Sequence, residues 1–266
     1  MAVGFLTEAV ERVRKDLELR PLNEGTLLLR TRAVPPPRDF RSALAGPGVG
    51  IIAEVKRASP SAGPIAQADP GEQAGRYERG GAVAISVLTE PRYFDGSLWD
   101  LRSARRRTSL PILRKDFILH PAQVIEARAE GADAVLLIAP ALSASEIEEL
   151  GAVAEDLGMA ALVEVHTEQD LDKAVLAEAQ IVGVNSRDLE SLHLDLEAAL
   201  GLARTISQDR TVVLESGITT RRDVVRAGEA GADAVLVGET LMRSADPEVT
   251  LRRLAGALEV AREDGG

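Results

Sequence analysis

The 266-residue sequence has no cysteine, so disulfides and thiolate metal sites are impossible. Aromatic residues are scarce: four Phe, two Tyr and one Trp. The three histidines, His120, His166 and His193, stand far apart and show no metal-ligand spacing, so no metal site is expected. Nowhere do 18 apolar residues run together, and the N-terminal MAVGFLTEAVERVRKDLELR lacks the continuous apolar core of a signal peptide. Positive charge is in deficit, with a net charge of −11 and a pI near 4.9. That field argues against non-specific nucleic-acid binding and against docking on anionic membranes. It leaves room for a small anionic ligand, because local donors can override it. The expectation is a soluble cytoplasmic protein with no nucleic-acid or membrane partner; oligomeric state is not legible, and a monomer is plausible.

A repeated phrase sets the architecture. Gly-Ala-Asp-Ala-Val-Leu occurs at 131–136 and again at 231–236, a separation too long for a solenoid repeat. The interval holds four βα units of about 25 residues, so two halves make eight. The phrase is also a favourable helix–turn–strand sequence in its own right, with Gly ending a helix and Ala-Val-Leu entering a buried strand. Apolar runs at 51–55, 82–88, 111–114, 133–139, 160–165, 181–184, 211–215 and 233–237 supply eight strands. Amphipathic stretches such as 121–130, 144–157, 167–179 and 219–229 supply helices between them. Apolar strands each followed by a helix imply a parallel sheet buried on both faces. No G-x-G-x-x-G follows the first strand, which counts against an open dinucleotide-binding sheet. The fold expected is α/β, a (β/α)8 TIM barrel over residues 46–266. Residues 1–45 are expected to be an N-terminal extension of one or two helices packed on it, too short to hold a core of their own.

Chemistry in such barrels sits at the C-terminal strand ends. There the sequence turns polar: Glu54-Val55-Lys56, Arg114-Lys115-Asp116, Glu164-Val165-His166, Asn185-Ser186-Arg187 and Glu215-Ser216-Gly217. Alternation puts Glu54 and Lys56 on one side of their strand. Charges at the ends of buried runs cost several kcal/mol unless paired or facing a solvated mouth. A ring of structural salt bridges capping the barrel is the bland alternative. The chain has 27 arginines and only four lysines, Lys15, Lys56, Lys115 and Lys173. Two of the four lie at strand ends, where a lysine, unlike an arginine, can exchange its proton. Lys15 and Lys173 are expected to be ordinary surface residues, and His166 is given no role. Ser216-Gly217 and Gly238-Glu239, at the tops of the last two strands, are candidates to receive a phosphate. The loop 57–63 adds hydroxyls and a flexible backbone.

Taken together, IIAEVKRASPSAG (51–63), VLTEPRYFDGS (87–97), ILRKDFIL (112–119), LVEVHTE (162–168), VGVNSRDLE (182–190) and ESGI (215–218) resemble indole-3-glycerol-phosphate synthases, in that family's order across the whole barrel. The resemblance implies a lyase of tryptophan biosynthesis working without metal or cofactor. Its substrate would be 1-(2-carboxyphenylamino)-1-deoxyribulose 5-phosphate, its products indole-3-glycerol phosphate, carbon dioxide and water. It implies Lys115 as the general acid on the ketone oxygen, Glu164 as the acid/base of dehydration and Glu54 assisting it. Lys56 would pair with Glu54, and Asn185 and Glu215 would hold substrate hydroxyls and the catalytic side chains. Phosphate would lie near Lys56, Ser59, Arg187, Ser216, Gly217, Gly238 and Glu239, the last through its backbone with its carboxylate turned away. Phe94, Phe117, Leu136, Leu189 and Leu192 would line an apolar slot for the aromatic ring, although each also fits plain core packing. The residues alone leave other readings open: a Schiff-base aldolase or a sugar-phosphate isomerase on the same barrel, or a non-catalytic barrel subunit.

Overall fold

The computed structural model describes residues 4–256; residues 1–3 and 257–266, the outer ends of the two expected segments, lie outside the described residues. Eight strands form a closed, all-parallel barrel: β1 (Gly50–Val55), β2 (Ala84–Leu88), β3 (Ile112–Lys115), β4 (Ala134–Ile138), β5 (Ala160–Val165), β6 (Ile181–Asn185), β7 (Thr211–Glu215) and β8 (Ala234–Val237). β8 closes onto β1 with Gly50 opposite Ala234. Each apolar run of the sequence is one of these strands, and each strand has two buried faces. Ile51, Ile85, Val135, Val163, Val182 and Val235 pack outward against the helices. Ile52, Ala84, Leu113, Leu162, Ile181 and Val213 fill the interior. An eight-stranded barrel is just narrow enough for side chains to fill, so the interior is solid except where its upper layer turns polar.

The two copies of the repeated phrase occupy equivalent places at the N-terminal end of the barrel. Gly131 and Gly231 take left-handed conformations (φ 96° and 91°), ending their helices without the strain a side chain would suffer. Asp133 and Asp233 then make the same bond across the sheet. Each carboxylate accepts a backbone N–H from the neighbouring strand, Ile112 in one case and Val212 in the other, both at 2.8 Å. The phrase is thus a device for starting a strand, used four βα units apart.

The N-terminal region has three helices where one or two were expected: α1 (Phe5–Leu19), α2 (Glu24–Thr31) and α3 (Phe40–Leu44). The third is only five residues long, starts at an Asp39 cap and follows the Pro-rich stretch, so periodicity could not find it. It plugs the N-terminal end of the barrel. Phe40 and Leu44, each 1% exposed, enter the interior cluster, while Arg41 bonds Thr211, Gln180 and the carbonyl of Asp209 at the strand starts. α2 lies on the flank, with Leu27 against Ile125 and Ala129. α1 crosses the opposite end, where Leu6 N–H donates to the Leu189 carbonyl at 3.1 Å and Tyr93 hydroxyl donates to Glu8 at 2.9 Å.

Two local expectations are corrected. Loop 57–63 is not free backbone: Ala58–Ser59 pairs antiparallel with Gly63–Pro64, and Arg57 anchors the loop to Asp100 at 2.6 Å. Lys173 is more than a surface charge, since its ammonium donates to the Ala139 carbonyl at 2.8 Å and ties its helix to the turn after β4.

Candidate active site

Alternation along the strands aims one polar side chain from each of several strand ends into the barrel mouth. Glu54 follows Ile52, Lys115 follows Leu113, Glu164 follows Leu162, Asn185 follows Gly183, and Glu215 follows Val213, each two residues along the same face. The result is a cluster of two bonded groups. The Lys115 ammonium donates to Glu164 Oε2 at 2.8 Å and to Glu215 Oε2 at 2.7 Å. Asn185 Nδ2 donates to the other Glu164 oxygen at 3.1 Å. Lys56 lies 2.7 Å from Glu54 Oε1, and the Ser86 hydroxyl donates to Glu54 Oε2 at 3.2 Å.

Burial decides the electrostatics. Glu54, Glu164 and Glu215 are each 1% exposed. Loss of water opposes charge on Lys115, but the Glu164, Glu215 and Glu54 carboxylates outweigh it and hold the ammonium above its ordinary pKa. Burial likewise pushes against ionisation of Glu164, yet Lys115 and His166 hold it well below the carboxylate range. At Glu215 burial prevails, reinforced by the Glu164 and Glu54 charges against the attraction of Lys115, and its pKa is pushed up to about 7. Lys115 attracts both carboxylates; His166 beside Glu164, and the Glu164 and Glu54 charges acting on Glu215, pull their proton affinities apart, the arrangement from which acid and base roles arise.

Two glycines make room for the cluster. A Cβ on Gly183 would meet Glu215 Oε1 at 2.2 Å, and one on Gly238 would meet Glu54 Oε1 at 2.5 Å. Gly238 was singled out from the sequence; Gly183 was not, because a glycine inside an apolar strand carries no local sign of what faces it.

Above the cluster is a cavity of about 450 Å³. All the candidate residues line it: Glu54, Lys56, Lys115, Glu164, Asn185 and Glu215 at its base, Ser59, Arg187, Ser216, Gly217, Gly238 and Glu239 on one side, and Phe94, Phe117, Leu136, Leu189 and Leu192 elsewhere. Leu136 is 2% exposed and belongs to the interior core as well. Ser216 is held at φ 65° beside Gly217 at 75°; for a residue with a side chain this conformation costs on the order of 1–3 kcal/mol. The Glu239 carboxylate is turned onto Arg243, 2.9 Å away.

Of the lining residues the sequence reading did not name, Phe5 and Arg243 matter most, and His166, named there without a role, lies beside Glu164. Phe5, from α1, meets Phe117 and Tyr93 edge-on and lines the cavity. Arg243 also lines it; its place four residues after Glu239 was a readable helical pairing. His166 lies 3.6 Å from Glu164 Oε1, its side chain 8% exposed. Among the described residues no group of three or more His, Asp or Glu could hold a metal ion, and no helix is long and apolar enough to cross a membrane.

Comparison with known proteins fits this geometry. The family model described as indole-3-glycerol phosphate synthase matches residues 6–254. An indole-3-glycerol phosphate synthase of Mycobacterium ulcerans (strain Agy99) is 47% identical over 255 residues, covering 95% of this chain and 94% of the relative. One from Mycolicibacterium smegmatis (strain ATCC 700084 / mc(2)155) is 47% identical over the same length and shares. Among solved structures, a 3-hexulose-6-phosphate synthase superposes with a TM-score of 0.63 at 14% identity, covering 79% of this chain and 100% of that one. A thiamine phosphate pyrophosphorylase from Pyrococcus furiosus gives 0.59 at 18%, covering 78% and 94%. At such identities these two share the barrel and no more. The match to the family, by contrast, runs through α1 and all eight strands, and the chain belongs to the indole-3-glycerol phosphate synthases.

Proposed function

We propose that the cluster at the barrel mouth divides the acid and base work of this family's reaction among named side chains. The chain is a carboxy-lyase that closes the ring of 1-(2-carboxyphenylamino)-1-deoxyribulose 5-phosphate, with loss of carbon dioxide and water, to indole-3-glycerol phosphate. In the first step the aromatic carbon bearing the carboxylate attacks the ketone carbon, and charge develops on the ketone oxygen. Lys115 donates the proton to that oxygen. An alkoxide is more basic than an ammonium, so transfer is downhill even from a lysine held above its ordinary pKa. Decarboxylation restores the aromatic ring. Glu164, ionised beside Lys115, then serves as the acid/base of dehydration, in which a hydroxyl departs and a ring proton is lost, with Glu54 assisting. Asn185 and Glu215 hold the ribulose hydroxyls and keep Lys115 and Glu164 oriented.

The phosphorylated end of the substrate fits the Lys56, Ser59 and Arg187 side, where Ser216–Gly217 and Gly238–Glu239 offer backbone. The Glu239–Arg243 pair supports this placement, because it draws the carboxylate aside and cancels its charge. The aromatic ring fits among Phe94, Phe117, Leu136, Leu189 and Leu192, with Phe5 as an additional wall.

The observation that carries these assignments is the ammonium of Lys115 between Glu164 and Glu215 at the base of the cavity. It also disfavours a Schiff-base reading, which needs a neutral amine. Lys115→Arg keeps the charge but cannot release the proton, so kcat, followed by indole fluorescence, is expected to fall at least ~100-fold with a much smaller change in KM. Turnover near wild type would remove Lys115 from its role. Labelling by borohydride in the presence of a sugar phosphate would favour the aldolase instead.

A further inference from the structure

Glu164 has three neighbours that can balance its charge or bond to it. Lys115 takes one oxygen; Asn185 takes the other, and that same oxygen faces His166 Nε2 at 3.6 Å. The imidazole follows Glu164 by two residues, on the interior side of its strand. It is nine-tenths buried, and Nε2 has no hydrogen-bond partner among the described residues. A buried ring nitrogen without a bond, aimed at a carboxylate just beyond bonding distance, is unsatisfied in the resting state. The charges acting most strongly on the ring are negative: Glu164 from its own strand, Asp170 from the following helix, and Asp188 from the loop after β6; Lys115 and Lys173 stand behind two of them, 2.8 Å from Glu164 and 3.7 Å from Asp170. Asp170 also accepts the His166 backbone N–H at 3.3 Å. Burial disfavours the imidazolium, and these three carboxylates outweigh it.

The cluster's charge balance shows when such a cation matters. With Lys56 and Lys115 charged against Glu54, Glu164 and Glu215, the resting cluster carries at most one excess negative charge. Once Lys115 hands its proton to the substrate oxygen, the amine left behind no longer compensates Glu164. We propose that His166 is a positioning residue for Glu164: as an imidazolium it faces Oε1 and keeps that carboxylate ionised and turned into the cavity while Lys115 is neutral. This role rests on the reading of Lys115 and Glu164 given above.

Single-turnover and steady-state rates of His166→Gln and His166→Lys, measured from about pH 6 to about pH 9, test it. His166→Gln should be roughly tenfold slower than wild type at the acid end, with KM within about twofold, and the gap should narrow as pH rises and the wild-type ring gives up its proton. His166→Lys should hold its rate to higher pH than His166→Gln. In a Glu164→Gln background, His166→Gln should cause no further loss. A loss of equal size at every pH, no loss at all, or full loss in the Glu164→Gln background would each overturn the role. The NMR titration of the His166 ring gives a readout that needs no variant at His166. It should move to lower pH in Glu164→Gln, and an unmoved titration would overturn the contact itself. Failure of the underlying reading looks different: Lys115→Arg or Glu164→Gln would then turn over like wild type.

Discussion

Lys115 and Glu215 show how little a residue's name says about its behaviour once it is buried. Both are end-of-strand ionisable groups, and they sit 2.7 Å apart. One is held charged by its neighbours, while the other is moved from the ordinary 4.5 up to about 7. The second shift has a consequence for stability. In the unfolded chain Glu215 ionises near its ordinary value, whereas in the folded protein it keeps its proton until about pH 7. Its contribution is therefore complete at low pH and is lost as pH rises through about 7. Wild-type Tm should fall between about pH 5 and about pH 8, and Glu215→Gln should flatten that fall, its advantage over wild type growing by roughly a few degrees across the interval. A pH-independent difference in melting curves would contradict the shift. At this scale the sequence revealed Glu54 and Lys56, because alternation puts them on one face. It left His166 without a role, because that residue lies one position past β5 and nothing local says whether the interior alternation persists there.

At the scale of elements, the repeated Gly-Ala-Asp-Ala-Val-Leu is a strand-starting device whose two copies carry different loads. Asp233 accepts the Val212 N–H and is partly exposed. Asp133 is fully buried, accepts the Ile112 and Arg38 N–H groups, and is paired with Arg105 at 2.6 Å. Asp233→Ala leaves one backbone donor without its partner and should cost about 1–3 kcal/mol. Asp133→Ala also strands a guanidinium that is itself mostly covered, and should cost about 3–5 kcal/mol. Urea unfolding of the two variants checks the order, and equal losses would show that Arg105 finds water or another acceptor. The sequence could identify the repeat and place it at helix–strand junctions. It could not tell the copies apart, since Arg38 reaches Asp133 only through the packing of the Pro-rich segment against the barrel, and Arg105 only from the helix before β3.

At the scale of the whole molecule, the N-terminal region treats the two barrel ends differently. α3 seals the end opposite the site with Phe40 and Leu44, whereas α1 lays Phe5 along the cavity. Phe40→Ala should therefore lower stability by about 3–5 kcal/mol, with the KM of the remaining folded enzyme unchanged. Phe5→Ala removes a wall of the proposed ring slot and should raise KM, while the edge-on contacts it loses with Tyr93 and Phe117 cost only ~0.5–1.5 kcal/mol of stability. Calorimetry and steady-state kinetics on both variants separate the two functions, and a KM effect from Phe40→Ala would break the division.

The sequence by itself determined the barrel. Eight apolar runs spaced by amphipathic helices call for a parallel sheet buried on both faces, their number and the missing G-x-G-x-x-G favour closure over an open sheet, and period-2 alternation determines which end-of-strand side chains point inward. It also determined the inventory of acids, bases and small residues gathered at the mouth. Only the tertiary structure decided which of them meet. Glu54 and Glu215 come from opposite ends of the chain, so whether Lys115 faces one carboxylate or two, whether Gly183 leaves room for Glu215, and whether α1 or α3 covers the cavity depend on barrel closure and register. These contacts act through space between residues distant in the chain, and burial, which sets their strength, is a property of the assembled fold.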